Sequence, residues 1–178
     1  MTQERSPLVG LIGWPVEHSV SPAMHNAAFD ALRLHWRYDP LPTPPGQIQG
    51  ALAKLREKHY RGANVTVPHK QAVMPHLDEI TDTARAIGAV NTIVVQHGRL
   101  IGHNTDGDGF VAALTQAGFH PTDQSALVLG AGGGAYAVVH ALAQTHCAVT
   151  IFNRTAVRAV RLSRHMDSIG CGDKVICT

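Results

Sequence analysis

Cysteine is scarce in this chain of 178 residues: Cys147, Cys171 and Cys177 are the whole set, and no two of them form a CxxC pair. An odd, unspaced set suggests neither a disulfide framework nor a zinc site, and it fits a reducing cytoplasm. Charge is also scarce. Charged residues make up 16% and the formal net charge is +2, too little to argue for a nucleic-acid partner. No uninterrupted apolar run approaches the ~20 residues that span a membrane, so no membrane partner is expected. The opening "MTQERSPLVGLIGWP" lacks the basic start and longer apolar stretch of a secretory signal and reads as mature protein. Twelve histidines are many for this length, yet none forms HExxH or a helical pair beside a carboxylate, so no metal site is expected.

What is present, 44% apolar residues over a length that can bury a sizeable core, describes a soluble globular chain of one domain or two small lobes. "LVGLIG" at 8–13 reads as a buried strand. From Ser21, "SPAMHNAAFDALRL" spaces Met24, Ala28, Ala31 and Leu32 along one helical face. "PLPTPPG" at 40–46 reads as a connector, followed by a helix with Ile48, Leu52 and Leu55 on one side. Next come the strand "ANVTV" and a helical stretch over about 70–87, interrupted near Pro75. "NTIVVQHGRLIGHN" reads as a hairpin turning at His97-Gly98.

After Asp106 the pattern becomes one α/β alternation: helix 107–117, strand "ALVLG", helix 134–144, strand "AVTIFN", helix 156–166. Such alternation predicts parallel strands with helical crossovers, hence an α/β fold of two lobes, 1–105 and 106–178.

"ALVLGAGGGAYAVVHAL" sets Gly130, Gly132 and Ala135 in the G-x-G-x-x-A pattern, directly between a strand and a helix. Small residues there admit a pyrophosphate, and the helix start supplies N–H groups and a positive dipole end. A glycine turn without a ligand is the weaker alternative. An NAD site would carry an acid near the end of the next strand, but "FNRTAVR" carries none. Arg154 and Arg158 can instead clamp a 2′-phosphate, with Asn153 and Thr155 donating hydrogen bonds, which favours NADP.

Three polar stretches remain in the first lobe. In "HSVSP", Ser21 reads as a helix N-cap before Pro22, yet Ser19 and Ser21 can also turn both hydroxyls to a carboxylate. In "GANVTVPHK", alternation assigns Val65 and Val67 to one strand face and Asn64 and Thr66 to the other. Lys70 follows just past the strand end. A surface lysine is the ordinary reading, but a helix start is an electrostatically poor place for a purely structural cation. In "GAVNTIV" and "GHNTDGDGF", Asn91 and Asp106 border apolar strands, with turn former and helix N-cap as their plain structural roles.

With "HSVSP", "GANVTVPHK", "GAVNTIV", "GHNTDGDGF", "GAGGGA" and "NRT" in this order across nearly all of its length, the chain resembles the shikimate dehydrogenase family. The resemblance implies an N-terminal α/β substrate lobe followed by a Rossmann-like NADP-binding lobe, here partial. It also implies reversible NADPH-dependent reduction of 3-dehydroshikimate to shikimate, on the route to chorismate and the aromatic amino acids. It assigns Ser19 and Ser21 to the substrate carboxylate, places Thr66, Lys70, Asn91 and Asp106 around the ring hydroxyls, and makes Lys70 and Asp106 the catalytic pair. Asp82, Gly130, Ala131, Gly132, Gly133, Gly134, Asn153, Arg154, Thr155, Ala156, Val157 and Arg158 match the cofactor segments, and the family leaves room for a homodimer.

Relatives often carry an arginine where Tyr136 stands, and they continue beyond "GDKVICT", where this chain stops on entering a third strand. A half-built parallel sheet leaves apolar faces uncovered, and weak or no dehydrogenase activity is expected of this chain without a partner to complete the lobe. Two other readings stay open: a quinate/shikimate dehydrogenase using NAD, and a shortened non-enzymatic paralogue that binds NADP or a shikimate-like acid.

Overall fold

A computed structural model describes residues 6–57 and 60–178; Met1 to Arg5, part of the stretch read above as mature protein, lie outside them. The chain divides into two compact units: residues up to Thr81 together with Val90–His103, and Asp82–Ala89 together with Asn104–Thr178. The division is therefore not a single cut in the sequence, since the segment 82–89 belongs to the second unit.

The first unit is built on a six-stranded sheet. Its strands are β1 (Leu8–Gly13), β2 (Arg37–Pro42), β3 (Tyr60–Val65), β4 (Glu79–Ile80), β5 (Thr92–Gln96) and β6 (Arg99–His103), in spatial order β2-β1-β3-β5-β6-β4. The strands β2, β1 and β3 run parallel, linked by α1 (Ser21–Ala31) and α2 (Ile48–Glu57). The hairpin β5–β6 turns at His97 and Gly98, both with positive φ (51° and 76°), as its two-residue loop requires. Ile48, Ala51, Leu52 and Leu55 bury the inner face of α2, as its spacing predicts.

Several local expectations are corrected. Residues 37–42, read in part as connector, form the edge strand β2, where Pro40 and Pro42 are tolerated. The face of α1 read as apolar is not buried: no residue of the helix is, and Met24 and Leu32 are largely exposed. The stretch 70–87 is no continuous helix. It breaks into α3 (His69–Ala72), a 3-10 turn at Met74–His76, β4 and, in the second unit, α4 (Asp82–Ile87).

The second unit adds α5 (Asp106–Gln116), β7 (Ser125–Leu129), α6 (Gly133–Gln144), β8 (Ala148–Phe152), α7 (Ala156–Ser168) and β9 (Val175–Cys177). Its three strands are parallel in the order β7-β8-β9, with Val149, Ile151 and Val175 packed on Ala137, Val139, Leu162 and Met166. Among the described residues, the other sheet face is apolar and open. Register aligns Leu127 with Thr150 and Ile176, and Leu129 with Phe152, and all four of these large apolar side chains are at least half exposed.

Candidate functional site

Parallel pairing brings the carboxyl ends of β1 and β3 side by side, and the chain is stitched there beyond the strands themselves. The Thr66 N–H donates to the Ile12 carbonyl at 2.8 Å, and the Trp14 N–H donates to the Val67 carbonyl at 2.9 Å. Ser19 and Ser21 leave from the first of these ends, Thr66 and Lys70 from the second. Val65 is buried but Val67 is 67% exposed, so the two valines assigned to one strand face do not share one environment. The strand ends at Val65; Thr66 turns away, and its carbonyl takes the His69 N–H at 2.8 Å.

At the start of α1 the residue flanking the helix is Val20, not Ser21, and no side chain caps the first turn. The hydroxyl that serves the chain there is that of Ser19, which accepts the Ser21 N–H at 3.3 Å. Both serines are half-buried. Lys70, half-buried, is held from two sides. Its own carbonyl accepts the Val90 N–H at 2.7 Å, and the preceding His69, 2% exposed, sets its Nε2 2.6 Å from the Thr43 carbonyl. A carbonyl only accepts, so His69 carries its proton on Nε2.

Asn91 precedes β5 and is buried. Its N–H donates to the His103 carbonyl at 3.0 Å, and its carbonyl accepts the Val65 N–H at 2.7 Å. Ser19, Ser21, Thr66, Lys70 and Asn91 thus gather at one end of one sheet. In the second unit Asp106 is not the cap of α5; Thr105 flanks the helix and Asp106 is its first residue. Its N–H goes to Asn104 Oδ1 at 3.0 Å, while Asn104 Nδ2 donates to the Ala89 carbonyl at 2.9 Å.

Gly130 closes β7 with φ +121°, a region that favours glycine, and its N–H reaches the Phe152 carbonyl at 2.8 Å. Gly132 and Gly134 are exposed at the start of α6, Gly133 is half-buried, and Ala131 is buried behind them. A Cβ built at Gly132 or Gly134 would meet nothing within 4 Å, so the helix start is open to a pyrophosphate. After β8, Asn153 Nδ2 donates to the Thr155 carbonyl at 2.8 Å, folding the turn so that Arg154, Ala156, Val157 and Arg158 stand exposed. These residues fit a dinucleotide carrying a 2′-phosphate. Asp82 is the exposed first residue of α4. Tyr136 is 4% exposed and packs its ring 5.5 Å from that of His165, which makes it a core residue.

Sequence reasoning missed Asn104 and His69. Both are buried polar side chains beside singled-out residues, Asn104 within "GHNTDGDGF" and His69 within "VPHK", and that adjacency was their only signal.

A family model described as the shikimate dehydrogenase substrate binding domain matches residues 11–93, and one described as shikimate / quinate 5-dehydrogenase matches 113–171. A curated shikimate dehydrogenase (NADP(+)) of Desulforamulus reducens is 51% identical over 162 residues, covering 90% of this chain and 56% of that protein. The crystal structure of shikimate dehydrogenase from Aquifex aeolicus superposes with a TM-score of 0.90 at 35% identity, over 100% of this chain and 64% of that one. The Thermus thermophilus shikimate 5-dehydrogenase, solved with NADP(H) and shikimate, gives 0.84 at 39% identity, over 95% and 62%. This chain therefore spans a little over half the length of the curated relatives it matches.

Proposed function

Because this chain belongs to the shikimate dehydrogenase family, we propose that it serves the reversible NADP-dependent interconversion of 3-dehydroshikimate and shikimate. The observation that carries the reading is the gathering of Ser19, Ser21, Thr66, Lys70 and Asn91 at the carboxyl ends of β1 and β3, where open α/β sheets hold their ligands. Two hydroxyls beside a helix start suit a carboxylate, and Thr66 and Asn91 suit ring hydroxyls.

When bound, the nicotinamide cofactor would supply the hydride in one direction and receive it in the other. Reduction of a ketone leaves negative charge on its oxygen, and Lys70 is the group to donate the proton there and to take it back in the reverse direction, with Asp106 as its acidic partner. Gly130, Ala131, Gly132, Gly133 and Gly134 would hold the pyrophosphate. Asn153, Arg154, Thr155, Ala156, Val157 and Arg158 would hold the adenosine end, with Asp82 a further cofactor contact. On this reading residues 1–105, apart from 82–89 and 104–105, which fold with the second unit, would serve substrate, and 106–178 would serve NADP. The free thiols of Cys147, Cys171 and Cys177 support placement in a reducing cytoplasm. A homodimer belongs to the same reading and is tested by sedimentation velocity.

Calorimetric titration with shikimate, NADP and NAD tests the assignment. Shikimate should bind, NADP should bind more tightly than NAD, and Arg154→Ala should abolish that preference. Absence of shikimate binding would sink the reading. Where shikimate-dependent reduction of NADP is measured, Lys70→Ala should lower kcat by about 10²- to 10⁴-fold.

A further inference from the structure

Four side chains form one hydrogen-bonded line across the first unit's sheet. The Tyr38 hydroxyl on β2 lies 2.8 Å from Asn64 Oδ1 on β3; Asn64 Nδ2 lies 3.2 Å from Thr92 Oγ1 on β5; Thr92 Oγ1 lies 2.9 Å from Asn91 Oδ1. A main-chain atom fixes the direction of the line between Tyr38 and Asn64, and the bond from the Thr92 hydroxyl to Asn91 Oδ1 continues it. Asn64 Nδ2 also stands 3.5 Å from the Asn91 carbonyl, which only accepts, so the Asn64 atom facing it is the NH2 group. Its oxygen therefore faces Tyr38, which must donate. The Thr92 hydroxyl receives the Asn64 N–H on a lone pair and gives its single proton to Asn91 Oδ1.

Asn91 is thus met from inside the sheet on its oxygen, and the other end of its amide is a donor. Tyr38 itself is firmly held. Its N–H and carbonyl are both bonded by the Asn26 side chain of α1, at 2.8 and 3.0 Å, and its ring stacks on His25 with centroids 4.4 Å apart. It is 3% exposed, and burial pushes its phenol up to about 12, so it remains a protonated donor at working pH.

We propose that Tyr38 is a positioning residue for substrate recognition: through Asn64 and Thr92 it holds Asn91 with its NH2 as the recognising end, which selects a ligand oxygen that accepts, a ring hydroxyl or a ketone. The inference rests on the reading that Asn91 meets substrate. It adds a specificity device to that reading, because a flipped Asn91 amide would instead ask the ligand for a donor. A purely structural network would stiffen the sheet without regard to Asn91's ligand.

The test is a double-mutant cycle on shikimate affinity, by calorimetry, with Tyr38→Phe, Asn91→Ala and the pair, after circular dichroism shows native folding. Tyr38→Phe should weaken shikimate about fivefold in the native background and have no effect beside Asn91→Ala. Thr92→Val should reproduce the loss and Thr92→Ser should restore affinity. An equal factor in both backgrounds, or no effect in either, overturns the positioning role. If Asn91→Ala alone leaves affinity unchanged, or the native chain takes up no shikimate, the underlying assignment fails as well. Should Tyr38→Phe fold poorly, the Thr92→Ser and Thr92→Val pair decides: a loss with valine that serine does not restore overturns the role.

Discussion

The Asn104 side chain accepts the Asp106 N–H at 3.0 Å and donates to the Ala89 carbonyl at 2.9 Å, so one buried amide ties the start of α5 to the segment that follows α4. Both partners are main-chain groups, and Asn104 is only 6% exposed. Asn104→Ala would strand an acceptor and a donor together. It should destabilise the second unit by about 1–3 kcal/mol, read as earlier hydrogen exchange of buried α6 amides such as Ala137 and Val139. Asn104→Asp keeps the acceptor for Asp106 but sets a second oxygen against the Ala89 carbonyl in a buried site, so near neutrality it should cost at least as much as the alanine change.

Gly62 opens the stretch that leads to Lys70, and its position leaves no room for a side chain. A Cβ there would run into the Ile93 carbonyl oxygen on the neighbouring strand, with the backbone of β5 directly behind it. Main chain cannot swing aside as a side chain can. Gly62→Ala should therefore break the β3–β5 pairing and cost about 3 kcal/mol or more, seen as an early unfolding transition in tryptophan fluorescence. Trp14 and Trp36 both lie in the first unit, so that signal reports on it alone.

Where apolar spacing and turn chemistry agree, the fold was legible in the sequence. Ile48, Leu52 and Leu55 announce α2, His97-Gly98 announces the hairpin, and the glycine turn announces the junction of β7 and α6. Strand β2 was hidden because its prolines mimic a connector; an edge strand tolerates them where a central one would not. The helix face of Met24 and Leu32 has helical period but no burial, and periodicity alone does not say whether a partner covers it. In the candidate site, the short polar stretches identify the residues, but their bonding is long-range. Nothing local in "VNT" reveals that Asn91 is reached, through Thr92 and Asn64, from a tyrosine more than fifty positions away.

One titrating group in each unit makes that unit less stable in acid, and the two act in different pH windows. The Asp78 carboxylate accepts the Leu100 N–H and the Arg56 guanidinium, both at 2.7 Å, which hold it below the usual carboxylate range. A depressed folded pKa contributes stability above the unfolded pKa and loses it as pH falls through the folded one. Asp78→Asn should lower the denaturant midpoint of the first unit near neutrality and match the native chain in strong acid. His140 in the second unit is held below the usual histidine range by burial and then by His165, against an opposing pull from Asp108. Its neutral form is favoured on folding, so stability should fall as pH drops from the ordinary histidine range through its folded pKa. His140→Gln should flatten that higher-pH part of the acid limb, as read by exchange of α6 amides.

Leu127, Leu129, Phe152 and Ile176 form an uncovered apolar surface on the second unit's sheet, in rows fixed by the β7-β8-β9 register. Parallel strands are ordinarily covered on both faces, and a contiguous apolar patch in water drives association. Their exposure also means that little folding free energy rests on them: replacing an exposed side chain removes few contacts, unlike the changes at Asn104 or Gly62. Leu127→Thr with Leu129→Thr should therefore reduce self-association in sedimentation velocity while shifting the denaturant midpoint by less than about 0.5 kcal/mol, the usual range for surface changes. The β-branched threonines keep the strand preference of β7, which isolates loss of apolar area from loss of strand. An unchanged distribution of species would mean that this face does not drive association of the chain. A large loss of stability would mean that the leucines are buried in solution, contrary to their exposure on the open sheet face.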